Sequence, residues 1–204
     1  MMYHNFLNSI LGQKSKLKAL RFLANFQNEV SIRELSRKIR ITTPNLSAVL
    51  GELEQQGVLT SRKFGTSILY RLNNGHLLAE EIIIPLFKKE KEAKTELGRK
   101  IKMGLSFQYE SAILFGSIAR AQEHSGSDID LAVIIGDKTD AGEAERKILE
   151  INPAIFKKFG NSLSPIVIKK KYFIRRFKAK DKLIASIAKD GILIAGKSIS
   201  ELIL

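Results

Sequence analysis

Two short apolar runs, Ser111-Ala-Ile-Leu-Phe115 and Leu131-Ala-Val-Ile-Ile135, constrain this chain more than any other feature. Each is uncharged and bounded by an acidic residue before and a glycine after, and each reads as a buried strand. The first runs straight into Gly116-Ser117 and then into Ile118-Ala-Arg-Ala-Gln122, which reads as the start of a helix. A strand–Gly-Ser–helix junction turns backbone N–H groups toward an anion. Glycine permits close backbone approach, and serine adds a hydroxyl donor. The second run is entered through Asp128-Ile-Asp130. Residues two apart on a strand share a face, so both carboxylates aim at one point. Two hard oxygen ligands on a rigid strand suit Mg²⁺ (or Mn²⁺) that also holds substrate phosphates. A Gly-Ser turn alone is an ordinary turn, and an Asp-x-Asp alone is an ordinary solvated strand edge. Joined at this spacing between two apolar strands, they form a specific motif.

The segment LFGSIARAQEHSGSDIDLAVI, Leu114 to Ile134, resembles the signature of the DNA polymerase β-type nucleotidyltransferase superfamily, and most closely its minimal nucleotidyltransferases. A looser likeness extends from about Gln108 to Gly196. The resemblance implies that Gly116 and Ser117 bind an NTP triphosphate and that Asp128 and Asp130 bind divalent metal and serve catalysis. Ser127 also matches, and Arg120 stands where the family usually has a basic residue. That arginine reads either as a nucleotide contact or as a surface residue. Ala121 stands where the family commonly has glycine. The larger departure is a third carboxylate, which active members carry on a later strand. There it helps hold a second metal and deprotonate the attacking hydroxyl. The equivalent strand here reads as Leu163-Ser-Pro-Ile-Val-Ile168, with Ser164 and Pro165 about where the acid would be sought. Glu150, on a helix expected over Ala141 to Ile151, reads as a surface residue, and His124 as a loop histidine.

The N-terminal third has a different rhythm. Leu17, Leu20, Leu23 and Ala24 fall at helical spacing. Ser31-Ile-Arg-Glu34 reads as a capping box opening a second helix, with Ile32, Leu35 and Ile39 facing inward. After a turn at Arg40 to Thr43, Thr43 is expected to cap a third helix with Pro44 at its first position. Leu46, Val49, Leu50 and Leu53 form its buried stripe, and Gly57 ends it. Strands are expected over Val58 to Lys63 and Ser67 to Leu72, joined by Phe64-Gly65-Thr66. Three helices and a hairpin resemble the winged helix-turn-helix of multiple-antibiotic-resistance and arsenical-resistance regulators, over roughly Leu11 to Asn74. The resemblance implies that the third helix enters the major groove of double-stranded DNA. Thr43, Asn45 and Ser47 would face bases or phosphates, while Arg33, Arg37, Lys38, Arg40, Arg62 and Lys63 would meet phosphates. The outward face of that helix lacks Arg and Lys and carries Glu52. A winged helix used only for protein contact is the competing reading.

The fold class expected is therefore α/β (α+β). A winged helix over 1–75 and a linking helix over 76–105 lead into a nucleotidyltransferase-like domain over 106–204, with a mixed sheet flanked by helices. The linking helix, with Glu92, Glu96 and Lys100 at steps of four, reads either as a connector or as a dimer surface. Charge supports a polyanionic partner. The net charge is +13, and its distribution is uneven: 11 Lys/Arg against 4 Asp/Glu up to Gly75, 11 against 14 from His76 to Phe156, and 10 against 1 from Lys157 to Lys182. Within the last block, Lys169-Lys-Lys171 and Arg175-Arg176 read either as a phosphate-binding element or as the exposed side of a helix. There are no cysteines, no apolar run near the ~20 residues of a membrane span, and no signal-like start, so a cytoplasmic protein is expected. Two functions stay open. One is an enzyme moving a nucleoside monophosphate from an NTP to a hydroxyl, in the setting of a HEPN-type toxin partner that the resemblance implies. The other is a homodimeric transcription regulator whose second domain senses nucleotide or only dimerises.

Overall fold

The computed structural model describes residues 6–26 and 28–204. The reading of the first residues as lacking a leader falls partly outside them. The chain divides into two compact units, Met1–Ala93 and Lys94–Leu204.

The first unit opens with α1 (Phe6–Leu11) and α2 (Lys14–Asn25). Then come β1 (Val30–Ser31), α3 (Ile32–Ile39), α4 (Thr43–Gln55), β2 (Leu59–Phe64) and β3 (Ser67–Leu72). β3 lies between β1 and β2, antiparallel to both. The stripe Leu46, Val49, Leu50 and Leu53 is buried against Leu20, Leu23 and Leu35, as helical spacing requires. Ser31 Oγ accepts from the Glu34 N–H at 3.3 Å. The returning arm of the expected capping box is not formed among the described residues, and the Ser31 backbone lies instead in β1, opposite Leu69. The cap of α4 is Thr42, one residue before the expected Thr43, and its side chain makes no cap bond. Gly57, at φ +77°, donates its N–H to Glu54 O at 2.8 Å, and the Val58 N–H reaches Leu53 O at 3.0 Å. This paired closure is the Schellman ending that a left-handed glycine allows. The hairpin starts one residue later than expected and turns on Gly65-Thr66, with Gly65 at φ +58°. Two short elements of this unit escaped the sequence reading. α1 contributes one buried residue, Ile10, and β1 is two residues long, so neither is long enough to show a period.

A π-helical turn, Ala79–Ile83, leads into α5 (Ile84–Gly104). In the first unit Leu78, Ala79, Ile83 and Phe87 join the winged-helix core. In the second unit Leu97 and Ile101 join the core under the sheet. The stripe of Glu92, Glu96 and Lys100 does not pair internally as its spacing suggested. Glu92 meets Lys89, while Glu96 is shared by Arg99 at 2.8 Å and Lys158 at 2.5 Å, and these cations pull its pKa down to about 2.

The second unit holds β4 (Ser111–Leu114), α6 (Gly116–Ala119), β5 (Ile129–Ile135), α7 (Ala141–Glu150), α8 (Asn152–Phe159) and β6 (Leu163–Lys169). α9 (Lys170–Lys178), α10 (Lys182–Asp190), β7 (Ile192–Gly196) and α11 (Ile199–Ile203) complete it. The sheet order is β6-β5-β4-β7. β5 and β6 are parallel and the other pairs antiparallel, which is the mixed sheet expected. β5 is central, and alternation along it separates two cores. Leu131, Val133 and Ile135 face Leu97, Ile101 and Ile148, whereas Ala132 and Ile134 face Phe173, Ile184, Ile187 and Leu202. The helix expected over Ala141 to Ile151 is α7, closed by Ile151, and Asn152-Pro153 then starts a further helix, α8, that the sequence reading did not include. The helix expected from Ile118 begins instead at Gly116 and lasts four residues.

Candidate functional sites

β4 delivers Gly116 and Ser117 beside the start of β5. The Phe115 N–H donates to Asp130 O at 3.0 Å, continuing the register that pairs Leu114 with Leu131. Gly116 has φ +69°, and a Cβ placed on it would coincide with the Asp130 carboxylate oxygen Oδ2. Glycine is thus required here twice, by its backbone angle and by the aspartate packed against it. Asp130 lies half-buried in β5, while Asp128 is exposed, one residue before the strand begins. Burial pushes the Asp130 carboxyl above the usual aspartate range, and the neighbouring Asp128 charge adds to this. The Arg120 guanidinium and the Ser117 N–H pull the other way. These influences bring Gly116, Ser117, Arg120, Asp128 and Asp130 into one neighbourhood. Two adjacent carboxylates, one of them desolvated, repel each other, and a divalent cation relieves that repulsion.

Ser127 sits at the edge of this group. Its Oγ accepts from the His124 N–H at 3.0 Å, and its carbonyl accepts from Asn161 Nδ2 at 2.7 Å. Both bonds pin the loop that carries Asp128. His124 is exposed, and Glu150 is a surface residue paired with Arg146. Arg120 is exposed and bonds Gln122 at 3.2 Å. Ala121, where the family favours glycine, has φ +53°, so the preference has a backbone cause. Sequence reasoning missed Lys94, whose Nζ donates to Ile118 O at 2.8 Å and holds the end of α6. It also missed Asn161. Neither belongs to a short motif, and only tertiary packing brings them here.

The register decides which side chain of β6 stands beside Asp130. Asp130 pairs directly with Ser164 on the parallel strand β6, so the two side chains share a face. Pro165 pairs with Leu131 and takes the other face. Ile166 pairs with Ala132 and packs against the core under α9 and α10. Among the described residues no three His, Asp or Glu side chains cluster closely enough to hold a metal. The carboxylate count at this site is two.

The winged-helix residues fall on one kind of surface. Arg33, Arg37, Lys38, Arg40, Thr43, Asn45, Ser47, Arg62 and Lys63 are all exposed. Arg33, Thr43 and Ser47 line a groove whose other wall is Thr66, Ser67 and Ile68 of the hairpin. On the opposite flank of α4, Arg40 and Asn45 share a hollow with Lys14 and Lys18 of α2, two cations the sequence reading passed over. Lys16, between them, is buried; it donates to Ser9 O at 2.7 Å and pairs with Glu52 at 2.5 Å. Glu52, the acid on the outward face of α4, is thereby partly neutralised. Arg62 is held by Glu29 at 2.5 Å and lies over the Phe64 ring at 5.4 Å, so it is engaged within the fold.

The run Lys169 to Lys171 does not join the Gly-Ser site. β6 runs parallel to β5, so these lysines sit at the opposite end of the sheet from Asp130, roughly 20 Å away at about 3.3 Å per residue. There the Lys171 N–H donates to Asp137 Oδ1 at 3.1 Å.

Fold and site together define a winged-helix regulator domain joined to a nucleotidyltransferase-fold domain. Residues 100–200 match the family model for polymerase β nucleotidyltransferases, and residues 15–66 match that of the MarR family. No curated protein matches the chain. Among solved structures, HlyU from Vibrio cholerae N16961 is 25% identical, covering 41% of this chain and 82% of its own, at a TM-score of 0.36. The repressor BigR from Xylella fastidiosa is 28% identical over 41% of this chain and 85% of its own, at 0.35. A toxin-antitoxin bound to AMP-PNP is 18% identical over 52% of this chain and 76% of its own, at 0.36. No helix among the described residues is long and apolar enough to cross a membrane.

Proposed function

We propose that this chain is a DNA-binding regulator whose second domain binds Mg²⁺-NTP and transfers its nucleotide slowly or not at all. The observation that carries this reading is the pairing of Asp130 with Ser164. The phosphate grip (Gly116, Ser117) and one carboxylate pair (Asp128, Asp130) are present, while the neighbouring strand offers a hydroxyl where a third acid would stand. Asp128 and Asp130 serve one Mg²⁺ (or Mn²⁺) bound to the triphosphate, with Arg120 and Ser127 at its margin. A two-metal displacement needs a second ion beside the attacking oxygen, and two carboxylates hold it poorly. The acceptor hydroxyl also lacks its base, which alone is worth about 10²–10⁴-fold. NTP binding then acts as a signal to a winged helix that grips double-stranded DNA as a homodimer. The expected assignments are 1–75 for DNA, 76–105 for the connection and 106–204 for the nucleotide, in a cytoplasmic protein.

The test uses the full chain. Calorimetry should show NTP binding that requires Mg²⁺ and disappears in the Asp128→Asn/Asp130→Asn double variant. Equal binding by variant and parent refutes the site. Light scattering at tens of micromolar should show a dimer. The second reading is an active enzyme paired with a HEPN-type toxin. The intact Gly-Ser and Asp-x-Asp favour it. Robust pyrophosphate release by the parent, lost in Asp128→Asn, would put it first.

A further inference from the structure

The most basic segment of the chain has no part in the readings of the Gly-Ser site and the winged helix. Between Lys157 and Lys182 stand 10 Lys/Arg and a single acid, Asp181. That acid is already used: its carboxylate caps α10 by accepting from the Leu183 and Ile184 N–H groups, and it pairs with Arg176 at 3.1 Å. Lys171, Arg175, Lys178 and Lys180 are exposed and have no ion pair among the described residues. Lys171, Arg175 and Lys178 follow one another at steps of four and three, so they form one stripe along α9. Tyr172 holds the first two in place, with the Lys171 ammonium and the Arg175 guanidinium over its ring at 5.1 and 5.0 Å.

At the end of this stripe the surface dips between α9 and α10. The floor of the dip is the Phe177 ring with Ala185 and Ala188, and its rim is Lys178, Lys180 and Lys189. An apolar hollow lined also by three lysine side chains fits a flat, uncharged ring system attached to phosphates. The apolar face of α9 is not free to enter a lipid surface, because Phe173 is fully buried and Phe177 packs on the same core. A basic amphipathic helix that binds membranes needs that face unpartnered. The bases of duplex DNA are stacked and paired, and so are not free to enter the dip.

We propose that α9 and the α9–α10 depression bind single-stranded nucleic acid. A base rests on Phe177 and the two alanines, its flanking phosphates meet Lys178, Lys180 and Lys189, and the strand continues along Arg175 and Lys171. Cationic tracking of the backbone with sequence-tolerant base contact is how strands are held without base readout. This surface is inferred from neither the reading of the Gly-Ser site nor that of the winged helix, and it stands or falls without them.

The test is fluorescence anisotropy of the full chain with a labelled 20-nucleotide single strand of mixed pyrimidines, between about 50 and 200 mM salt. The Lys178→Glu/Lys180→Glu/Lys189→Glu variant should bind about tenfold or more weakly, with a log–log salt slope shallower by about 2, as expected for three lost phosphates on a single strand. Ala185→Glu fills the floor from an exposed helical position and should weaken binding without changing the thermal midpoint. Arg33→Glu/Arg37→Glu, on the winged helix, should leave single-strand affinity within about twofold while lowering duplex affinity. Single-strand binding unchanged in both the triple and the Ala185→Glu variants overturns the proposal. So does single-strand binding abolished by the winged-helix pair alone, or binding of the parent to anionic phospholipid vesicles but not to the oligonucleotide.

Discussion

The two units present their candidate residues in opposite ways. On the winged helix, Arg33, Arg37, Lys38, Asn45 and Ser47 stand outward from a closed apolar core, and none of these five makes a side-chain bond among the described residues. At the proposed nucleotide site the residues are packed into one another: Gly116 against the Asp130 carboxylate, Phe115 bonded to the Asp130 carbonyl, and Ser127 tied to Asn161. The first arrangement makes affinity a sum of separable contacts, so single changes are graded. The second makes geometry collective, so a single methyl group can abolish function.

Gly116→Ala is the sharpest way to break that contrast. The added Cβ needs the space of Asp130 Oδ2, so the carboxylate must swing away from its partner Asp128. Calorimetry should detect no Mg²⁺-dependent NTP binding, while duplex binding by the first unit stays at the parental level. Retained nucleotide affinity would show that the site is more plastic than its packing implies.

Ser164→Asp acts in the other direction. Its side chain shares a face with Asp130, so a third carboxylate enters the group from the directly paired position. Pyrophosphate release should rise by about 10²–10⁴-fold in the presence of a competent acceptor. Ile166→Asp, one step deeper, buries a charge in the α9–α10 core and should lower the melting temperature instead. If the effects of the two substitutions are exchanged, the acid belongs at position 166.

On the winged helix, Arg33→Ala/Arg37→Ala/Lys38→Ala should weaken duplex binding by roughly tenfold or more and flatten the salt slope by about 3, one step per phosphate. Each single change should give about a third of the slope change. A single change with the full effect would mean that this surface is as interlocked as the nucleotide site.

Two smaller effects probe the scaffold. Ala121 holds a left-handed backbone angle, φ +53°, and Ala121→Gly should stabilise the second unit by about 1 kcal/mol in denaturant titration. Glu96, held near pKa 2 by Arg99 and Lys158, stabilises the folded chain above the ordinary glutamate pKa. The unfolded chain takes up that proton first as pH falls, so the contribution shrinks from about pH 4.5 downward and is gone below about 2. Because the pair is exposed, Glu96→Gln should lower the melting temperature only slightly at pH 7 and less still at pH 3.

Much of this molecule could be read from short-range pattern. Leu46, Val49, Leu50 and Leu53 declare a helix by their period, and Ser111–Phe115 and Leu131–Ile135 declare strands by being apolar and short. Gly116-Ser117 and Asp128-x-Asp130 point to the proposed phosphate-and-metal grip by type and spacing, because each of these signals lies within one or two turns of chain. What the sequence could not settle depends on partners far apart in the chain. Only the parallel register of β5 on β6 puts Ser164, and not Pro165, beside Asp130. Only packing sends Lys16 inward to Glu52 while Lys14 and Lys18 stay at the surface, though the three alternate evenly in the sequence. Only the pairing direction of the sheet carries Lys169 to Lys171 to the far end from the aspartates. Period and residue type specify which face a side chain takes within its own element. Which other element it meets is decided by long-range burial and strand pairing, which no local pattern encodes.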